Sequence, residues 1–321
     1  MDFRHPNPSL KKWFDRIFPW ASLAMGLWSA FGVARRYEQA RRIAWLLGAA
    51  WIIILLLAVV RRTLSREDAP WKRHLEYALR WVGQSASQEI MFFVLPFWVR
   101  STTWNSRNAL FTIVLLALGV TVLVDAIYVR VQRRIRLLML HKSLVQFSAL
   151  AFLVPTLTGA HTTEALALAG AVSGGIAGLA GRFRRPWITG AVGVFLGASL
   201  PLLASSWIAP VPLRVEHGVF ASGVVDRNPS DTLHQARRGA ELWAWTPIFA
   251  PAGFHDTLVQ EWTRDGRPIR SAHLPLRGGR KQGFRTWSSS ARAASATRSL
   301  AVETLTPDGQ IVGRQTIEVV P

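Results

Sequence analysis

The residues whose spacing most suggests chemistry form a polar stripe inside a long apolar stretch. Glu76, Arg80, Gln84 and Gln88 recur at every fourth position, and Glu89 follows directly. On a helix these positions share one face. Because a charged side chain at bilayer depth costs about 2.5 to 3.5 kcal/mol, that face should meet other helices or a wet cavity. The stripe is either a substrate or proton path with Glu89 near the midplane, or a packing seam in which Arg80 pairs with Glu76. We favour the seam.

Asp125 lies near the end of another apolar stretch, close before Arg130. An ion pair at the end of a helix accounts for this spacing more simply than a proton relay does. The candidate intramembrane polar site therefore consists of Arg80, Gln84, Gln88, Glu89 and Asp125.

A second group of residues combines Trp and Arg in the last third of the chain. Aromatic faces and guanidinium groups can bind a sugar ring or an anionic polymer, and the candidate platform consists of Trp262, Arg285 and Trp287. Trp243 and Trp245 would share one face of a strand, and we favour the interpretation in which that face is the core. The ligand expected here is an envelope glycan or a periplasmic protein.

Other site chemistries are absent from the sequence. The chain has no Cys, which excludes a disulfide framework, thiolate metal sites and a Cys nucleophile. Its His residues show no metal spacing, and no HExxH, GxSxG or paired-carboxylate pattern occurs. The bare SxxK string at Ser9–Lys12 lacks its partner motifs, so we discount it. We therefore predict no metal and no cofactor and assign no catalytic residue, so an enzymatic role stays open but is not favoured.

The composition predicts a membrane framework for these groups. The chain has 321 residues, 50% of them hydrophobic, and a net charge of +19. A run of about 20 apolar residues spans the hydrocarbon core as a helix, and seven segments come close to this requirement. They are 17–34, 43–60, 77–99, 109–128, 144–159, 165–181 and 187–209. The expected fold begins with an α-helical membrane bundle of about seven transmembrane helices.

The distribution of Lys and Arg orients this bundle. Seventeen of them fall on the side of the N-terminus and six on the other side, and short cytoplasmic loops are the ones enriched in positive charge. This predicts a cytoplasmic segment at 1–16, a transmembrane domain at 17–209 and a periplasmic domain at 210–321, in the bacterial inner membrane. Four Arg between residues 35 and 42 disagree, so the first hairpin is the weakest part of this topology.

Small residues indicate which helices lie closest together. Gly170, Gly174 and Gly178 recur at every fourth position, as do Gly193 and Gly197. Because small residues at this spacing let two helix backbones approach, the last two helices should pack together.

The basic residues between 130 and 136 alternate with apolar ones. They fit an amphipathic helix on anionic lipids of the inner leaflet, or plain cytoplasmic anchoring, which we favour. We expect no nucleic-acid partner, because the excess charge flanks the apolar segments and does not mark one face of a folded module.

From Pro210 onward the apolar segments give way to alternating apolar and polar residues. Turn residues recur about every 8 to 12 positions, which is typical of short strands. We predict seven strands forming an all-β immunoglobulin-like or fibronectin-like sandwich.

Four motifs carry a family resemblance: Gln88–Phe97, Arg100–Ser106, Arg285–Ser289 and Thr306–Arg314. From about Trp81 onward the chain resembles an uncharacterised family of bacterial multi-pass inner-membrane proteins that end in a small β-domain of unknown function. The resemblance implies the architecture and no activity. The chain departs from the family pattern at Gln260, where the family has His, and near Leu300, where it has Trp. A ligand site that used those side chains in relatives would lack them here.

These observations predict an envelope-associated integral membrane protein that displays a periplasmic β-domain for binding or scaffolding. The alternative is a transporter or membrane-embedded enzyme that uses the polar stripe of the third predicted helix. The expected partners are the lipid bilayer with its anionic lipids and an envelope glycan or periplasmic protein.

Overall fold

The computed structural model describes residues 28, 41–49, 51–52, 72–180, 185–290 and 299–321, without the side chains of 72–85, 123, 125, 126 and 180. Between residue 72 and the β-domain the described chain is mainly helical. Its elements are α1 (Lys72–Ser101), α2 (Asn108–Leu123), α3 (Asp125–Arg133), α4 (Ile135–Thr158), α5 (Thr162–Ala180), α6 (Pro186–Leu203) and a short 3₁₀ turn at Ser205–Trp207.

The prediction of about seven transmembrane helices is wrong. In the part of the chain that the structure describes, three helices are long and apolar enough to cross a membrane, namely α4, α5 and α6, or up to four if α2 and α3 form one bent span. α1 has 30 residues but is interrupted by the polar stripe. The predicted segments 17–34 and 43–60 lie mostly outside the described residues, of which 41–49 and 51–52 are helical.

The fourth predicted segment, 109–128, is broken because the chain leaves the helical conformation at Val124. This residue has extended backbone angles, φ −94° and ψ 99°. The axis of α3 is turned by 95° from that of α2. α3 is short and amphipathic, with Tyr128 buried and Arg130 exposed. Its Tyr128 ring meets the His141 ring of α4 edge-on, with centroids 5.6 Å apart.

The core of the helical part lies between α1 and α4. The rings of Phe97 and Phe152 stack with centroids 4.3 Å apart. Trp98 Nε1 donates to the carbonyl oxygen of Ser148 at 3.2 Å, and Ser148 Oγ also contacts Met91 Sδ at 3.7 Å. These contacts join the C-terminal half of α1 to the middle of α4.

The backbones of α5 and α6 approach each other so closely that only glycine fits at the points of contact. A Cβ at Gly170 would lie 1.8 Å from the carbonyl oxygen of Gly197, and one at Gly174 would lie 2.1 Å from that of Gly193. Gly178 meets the backbone of α6 in the same way. A side chain at these positions would force the two helices apart.

The described residues of the β-domain form two five-stranded sheets. The first has the order β1-β5-β2-β3, with β8 also paired to β5, and the second has the order β4-β10-β9-β6-β7. The strands are β1 (Arg214–Val215), β2 (Val219–Val225), β3 (Asn228–Leu233), β4 (Gln235–Arg237), β5 (Trp243–Phe249), β6 (His255–Arg264), β7 (Arg267–Arg277), β8 (Phe284–Ser289), β9 (Ser299–Leu305) and β10 (Ile311–Val320).

The prediction of a seven-stranded immunoglobulin-like or fibronectin-like sandwich is therefore also wrong. Among the described residues there are ten strands, and β4 pairs with β10 in parallel. Two features explain the difference. The predicted strand Leu213–Val225 is interrupted near His217, whose φ of 53° is left-handed. β3 and β4 are largely polar and exposed edge strands, so they lack the apolar alternation that marks a strand in sequence.

Apolar side chains fill the space between the two sheets. Phe220 and Ala244 of the first sheet meet Trp262, Val302 and Ile317 of the second. Both sheets are thus apolar on their inner faces, and the outer face of the first sheet is available for other contacts.

The turn between β9 and β10 fixes the β-domain against the helical part. Asn108 Nδ2 donates to the carbonyl oxygen of Ile311 at 2.8 Å. Thr162 Oγ1 donates to Gln310 Oε1 at 2.7 Å, and Gln310 Nε2 donates to the carbonyl oxygen of Ile208 at 3.2 Å. These groups are buried, so the junction is held by satisfied polar contacts and not by a flexible tether.

Candidate functional site

The described part of the polar stripe consists of Gln88 and Glu89. Gln88 Nε2 donates to the carbonyl oxygen of Val122 at 2.8 Å, which links α1 to the end of α2. Glu89 is exposed. The side chains of Arg80, Gln84 and Asp125 lie outside the described residues. What is described therefore shows a link between helices and no assembled site.

Trp262 of the predicted platform belongs to the core of the β-domain. Its side chain is fully buried, its ring meets Phe220 edge-on with centroids 5.9 Å apart, and its Nε1 donates to Ser288 Oγ at 2.8 Å. Because Ser288 points inward from β8, Trp262 lies between the two sheets and away from any ligand on the outer face.

Arg285 and Trp287 lie on the outer face of the first sheet. In β8 the inward residues are Thr286 and Ser288, so Arg285 and Trp287 point outward. Trp287 stands directly opposite Trp245 of β5. The inward neighbours in β5 are fully buried, whereas Trp243 and Trp245 are half-buried. The two outer strands therefore present an aromatic surface.

This surface borders an open cleft of about 1030 Å³. Five basic side chains line it together with Trp287, and no acidic residue occurs among its described lining. The basic residues are Arg227, Arg277, Arg280, Lys281 and Arg285. We refer to this feature as the basic cleft.

Local contacts orient the cations of the basic cleft. The Arg280 guanidinium lies 4.8 Å from the centroid of the Phe284 ring. Arg285 Nη2 donates to Gln282 Oε1 at 2.6 Å. Trp245 Nε1 donates to the carbonyl oxygen of Arg227 at 3.0 Å, which ties the β2–β3 turn to the edge of the cleft.

The arrangement is suited to binding an extended anion. Clustered cations raise the local concentration of anionic ligands, and guanidinium forks bind sulfate, phosphate or carboxylate with two hydrogen bonds. An indole face next to them can stack on a sugar ring. The described lining residues include no carboxylate and no histidine that could act as a general base.

Sequence reasoning missed the contribution of Arg227. This residue has a left-handed φ of 63° in the tight turn between β2 and β3. The Asp226-Arg227-Asn228 segment is the signal that could have indicated a hairpin, because Asp and Asn favour turns. The pairing of that hairpin with β5 is what brings Arg227 to the cleft, and no sequence signal reveals it.

The two departures from the family pattern both lie in the interior. Gln260 is fully buried, and its Nε2 donates to Thr246 Oγ1 at 3.0 Å. Gln315 Nε2 donates to the same oxygen at 2.7 Å. Leu300 is fully buried among the apolar side chains between the sheets. Neither position lines the basic cleft.

A buried carboxylate lies at the junction of the helical part and the β-domain. Asp256 Oδ1 lies 3.1 Å from Nδ1 of His161, a residue between α4 and α5, and accepts the backbone N–H of Thr257 at 2.7 Å. Burial raises the pKa of Asp256, and the nearby charge of Asp308 raises it further. The hydrogen bond from the Thr257 N–H and the charge and hydrogen bond of His161 lower this pKa and so act in the opposite direction. No group of three or more metal-ligating side chains occurs among the residues described.

The fold and these sites define a protein with an apolar helical part fixed to a two-sheet β-domain that carries a basic, aromatic cleft. The chain belongs to DUF5924, a family of unknown function, which matches residues 7–242. The match includes the Gln88–Phe97 and Arg100–Ser106 motifs and ends at the start of β5, so most of the basic cleft lies beyond it.

Two further comparisons add little. No curated protein matches the chain. A solved structure of the Pseudomonas fluorescens alkylpurine DNA glycosylase AlkC, bound to DNA containing an abasic site analog, is aligned at 13% identity over 88% of this chain and 97% of that chain, with a TM-score of 0.24. At this TM-score the likeness carries no argument about fold or function.

Proposed function

We propose that this protein is an integral protein of the bacterial inner membrane whose β-domain binds an anionic envelope glycan. The basic cleft carries the proposal: five cations and an outward Trp line one concave surface, without an acidic residue among the described lining. This combination matches the chemistry of a sugar polymer that bears phosphate, sulfate or carboxylate groups.

The apolar surface of the helical part supports a membrane location. α6 buries little beyond its glycine face, and large apolar side chains such as Trp187, Phe195 and Leu203 are 70% exposed or more. Contiguous apolar surface of this kind would be costly in water and is normal against lipid.

Charge supports a periplasmic β-domain without any count of the earlier helices. The segment before and at the start of α4 carries Arg130, Arg133, Arg134, Arg136 and Lys142, and the α5–α6 loop carries three more Arg. On the side of the β-domain, the connection between α4 and α5 has no Lys or Arg, and the connection between α1 and α2 carries one, Arg107. Since positive loops stay in the cytoplasm, the β-domain belongs on the opposite side.

The test uses the full chain in nanodiscs and a fluorescent heparin oligosaccharide as a sulfated probe, with neutral dextran for comparison. R277Q/R285Q should raise the Kd for the sulfated probe at least tenfold, a change of about 1.4 kcal/mol. The matched control is R237Q/R238Q, which removes two exposed charges from the β4 edge and should leave the Kd within twofold. Equal weakening by both pairs, or equal binding of dextran, would show that the basic cleft is not the site.

A further inference from the structure

A second cleft, of about 640 Å³, lies where the β-domain meets the helices. Its helical wall comes from the α1–α2 loop and the first turn of α2, including Trp104, Arg107 and Leu110. Its other wall comes from β9 and β10, including Ile311 and Arg314. We refer to it as the junction cleft.

The part of the junction cleft next to Leu110 is apolar and continues along α2. Leu110 is 53% exposed, and Ile113 and Val114 farther along α2 are about half exposed as well. Leu305 and Ile311 supply apolar atoms from the β side. An apolar chain could therefore pass from the cleft along the outer face of α2 without leaving apolar contact.

The part of the junction cleft next to Arg107 and Arg314 is cationic. Arg107 and Arg314 both line it and are exposed. Glu303 lies 3.4 Å from Arg314 and offsets one of the two charges. The lining therefore carries an excess of one positive charge, which complements a monoanionic phosphodiester.

The two walls are held in place by hydrogen bonds around Asn108. Its Oδ1 accepts the Thr103 backbone N–H at 3.1 Å and the Ser106 hydroxyl at 2.9 Å, which fixes the α1–α2 loop. Its Nδ2 reaches across to the carbonyl oxygen of Ile311 on the other wall. The cleft is thus formed before any ligand binds, which lowers the entropic cost of binding.

We infer that the junction cleft binds one anionic glycerophospholipid from the leaflet that faces the β-domain. Arg107 and Arg314 hold the phosphodiester, Trp104 lies at headgroup level as interfacial Trp residues do, and the first methylenes of an acyl chain pack on Leu110. The inference rests on the proposed membrane location and is independent of the glycan site. The bound lipid joins the two walls and so strengthens the attachment of the β-domain to the helices.

The test measures lipids retained by the full chain in native mass spectrometry, after reconstitution with equal amounts of phosphatidylglycerol and phosphatidylcholine. The wild-type chain should retain one phosphatidylglycerol preferentially. R107Q should lower that occupancy at least fivefold, and E303Q, which removes the offsetting charge, should raise it. R237Q on β4, which pairs with the end of β10 far from the junction cleft, should leave it unchanged.

Unchanged retention by R107Q, or equal retention of both lipids by the wild-type chain, would overturn the inference. Displacement of the lipid by inorganic phosphate at submillimolar concentration would also overturn it, because the site would then recognise the free anion. Resistance of the chain to carbonate extraction from membranes is scored in parallel. Release by carbonate would contradict the proposed function itself, whereas failed lipid retention by a carbonate-resistant chain would contradict only the junction cleft.

Discussion

Trp262 and Trp287 lie on opposite sides of the first sheet and have opposite environments. Trp262 packs against the inner face of the first sheet, where its indole N–H is bonded to Ser288. Trp287, the residue before that serine, lies on the outer face beside the basic cleft. The difference shows that strand alternation, and not residue type, decides which aromatic side chain supports the fold and which is available to a ligand.

The junction and the basic cleft also differ in whether their polar groups are buried or exposed. At the junction Asn108, Thr162 and Gln310 are buried and hydrogen-bonded across the two parts of the molecule. In the basic cleft most of the cations are exposed. Changes in the interior or at the junction should therefore reduce stability, and changes in the basic cleft should reduce binding with little effect on stability.

The largest effect is expected for Trp262→Ala. Removing a fully buried Trp from between the sheets should lower the free energy of unfolding by about 3 to 5 kcal/mol. Thermal unfolding of the full chain in detergent, monitored by near-ultraviolet circular dichroism, measures this loss. A loss no larger than that of Trp287→Ala would contradict the assignment of Trp262 to the core.

A smaller loss is expected for Gln310→Ala at the junction. The variant leaves the Thr162 hydroxyl and the Ile208 carbonyl oxygen buried without this partner, at a cost of about 1 to 3 kcal/mol. Hydrogen exchange should accelerate at the β9–β10 turn and at the start of α5. Gln235→Ala, an exposed position on β4, serves as the control and should alter neither.

Asp256→Asn should change how stability depends on pH. Because burial raises the pKa of Asp256 in the folded chain above its ordinary value of 3.8, the folded state holds its proton more tightly than the unfolded state. This residue therefore contributes stability below pH 3.8 that is lost as the pH rises through the raised pKa. The variant should remove that decline, whereas the control Asp226→Asn, at an exposed turn, should retain it. An identical pH profile for wild type and Asp256→Asn would contradict the account.

The smallest stability effect is expected for Trp287→Ala. Loss of its cross-strand contact with Trp245 should cost about 0.2 to 1 kcal/mol, while binding of the sulfated probe should weaken at least fivefold. Calorimetric titration and thermal unfolding on one preparation measure both. Strong destabilisation with unchanged affinity would reverse the contrast between the two Trp residues.

The glycine spacing on α5 and α6 shows what sequence can predict. Residues four apart on one helix share a face whatever surrounds them, so the pattern alone placed Gly170 and Gly174 on one line. The predicted number of transmembrane helices was wrong because it depended on features that the hydropathy pattern does not show. Hydropathy does not register the backbone break at Val124, and it does not weigh the polar stripe that makes α1 unlike α4 to α6.

Sequence reasoning named only two of the residues that line the basic cleft, Arg285 and Trp287, and the reason is again physical. Arg285 and Trp287 lie on one strand, so their shared face follows from alternation. Which face is buried depends on the partner sheet. Sequence reasoning wrongly placed Trp262 on the same platform, because the sequence does not show that β6 belongs to the other sheet. Arg227 joins the cleft through the pairing of β2 with β5, a contact between distant parts of the chain that local patterns do not encode.

Hydrogen exchange by mass spectrometry on the full chain in nanodiscs, with and without the heparin oligosaccharide, tests the central claim most directly. The account predicts slower exchange in the presence of the oligosaccharide at residues 274–287 and at the β2–β3 turn that carries Arg227. Exchange at the β4 edge should be unchanged. Protection confined to β4, or no protection at 274–287 at concentrations that saturate binding, would contradict the assignment of the basic cleft as the ligand site.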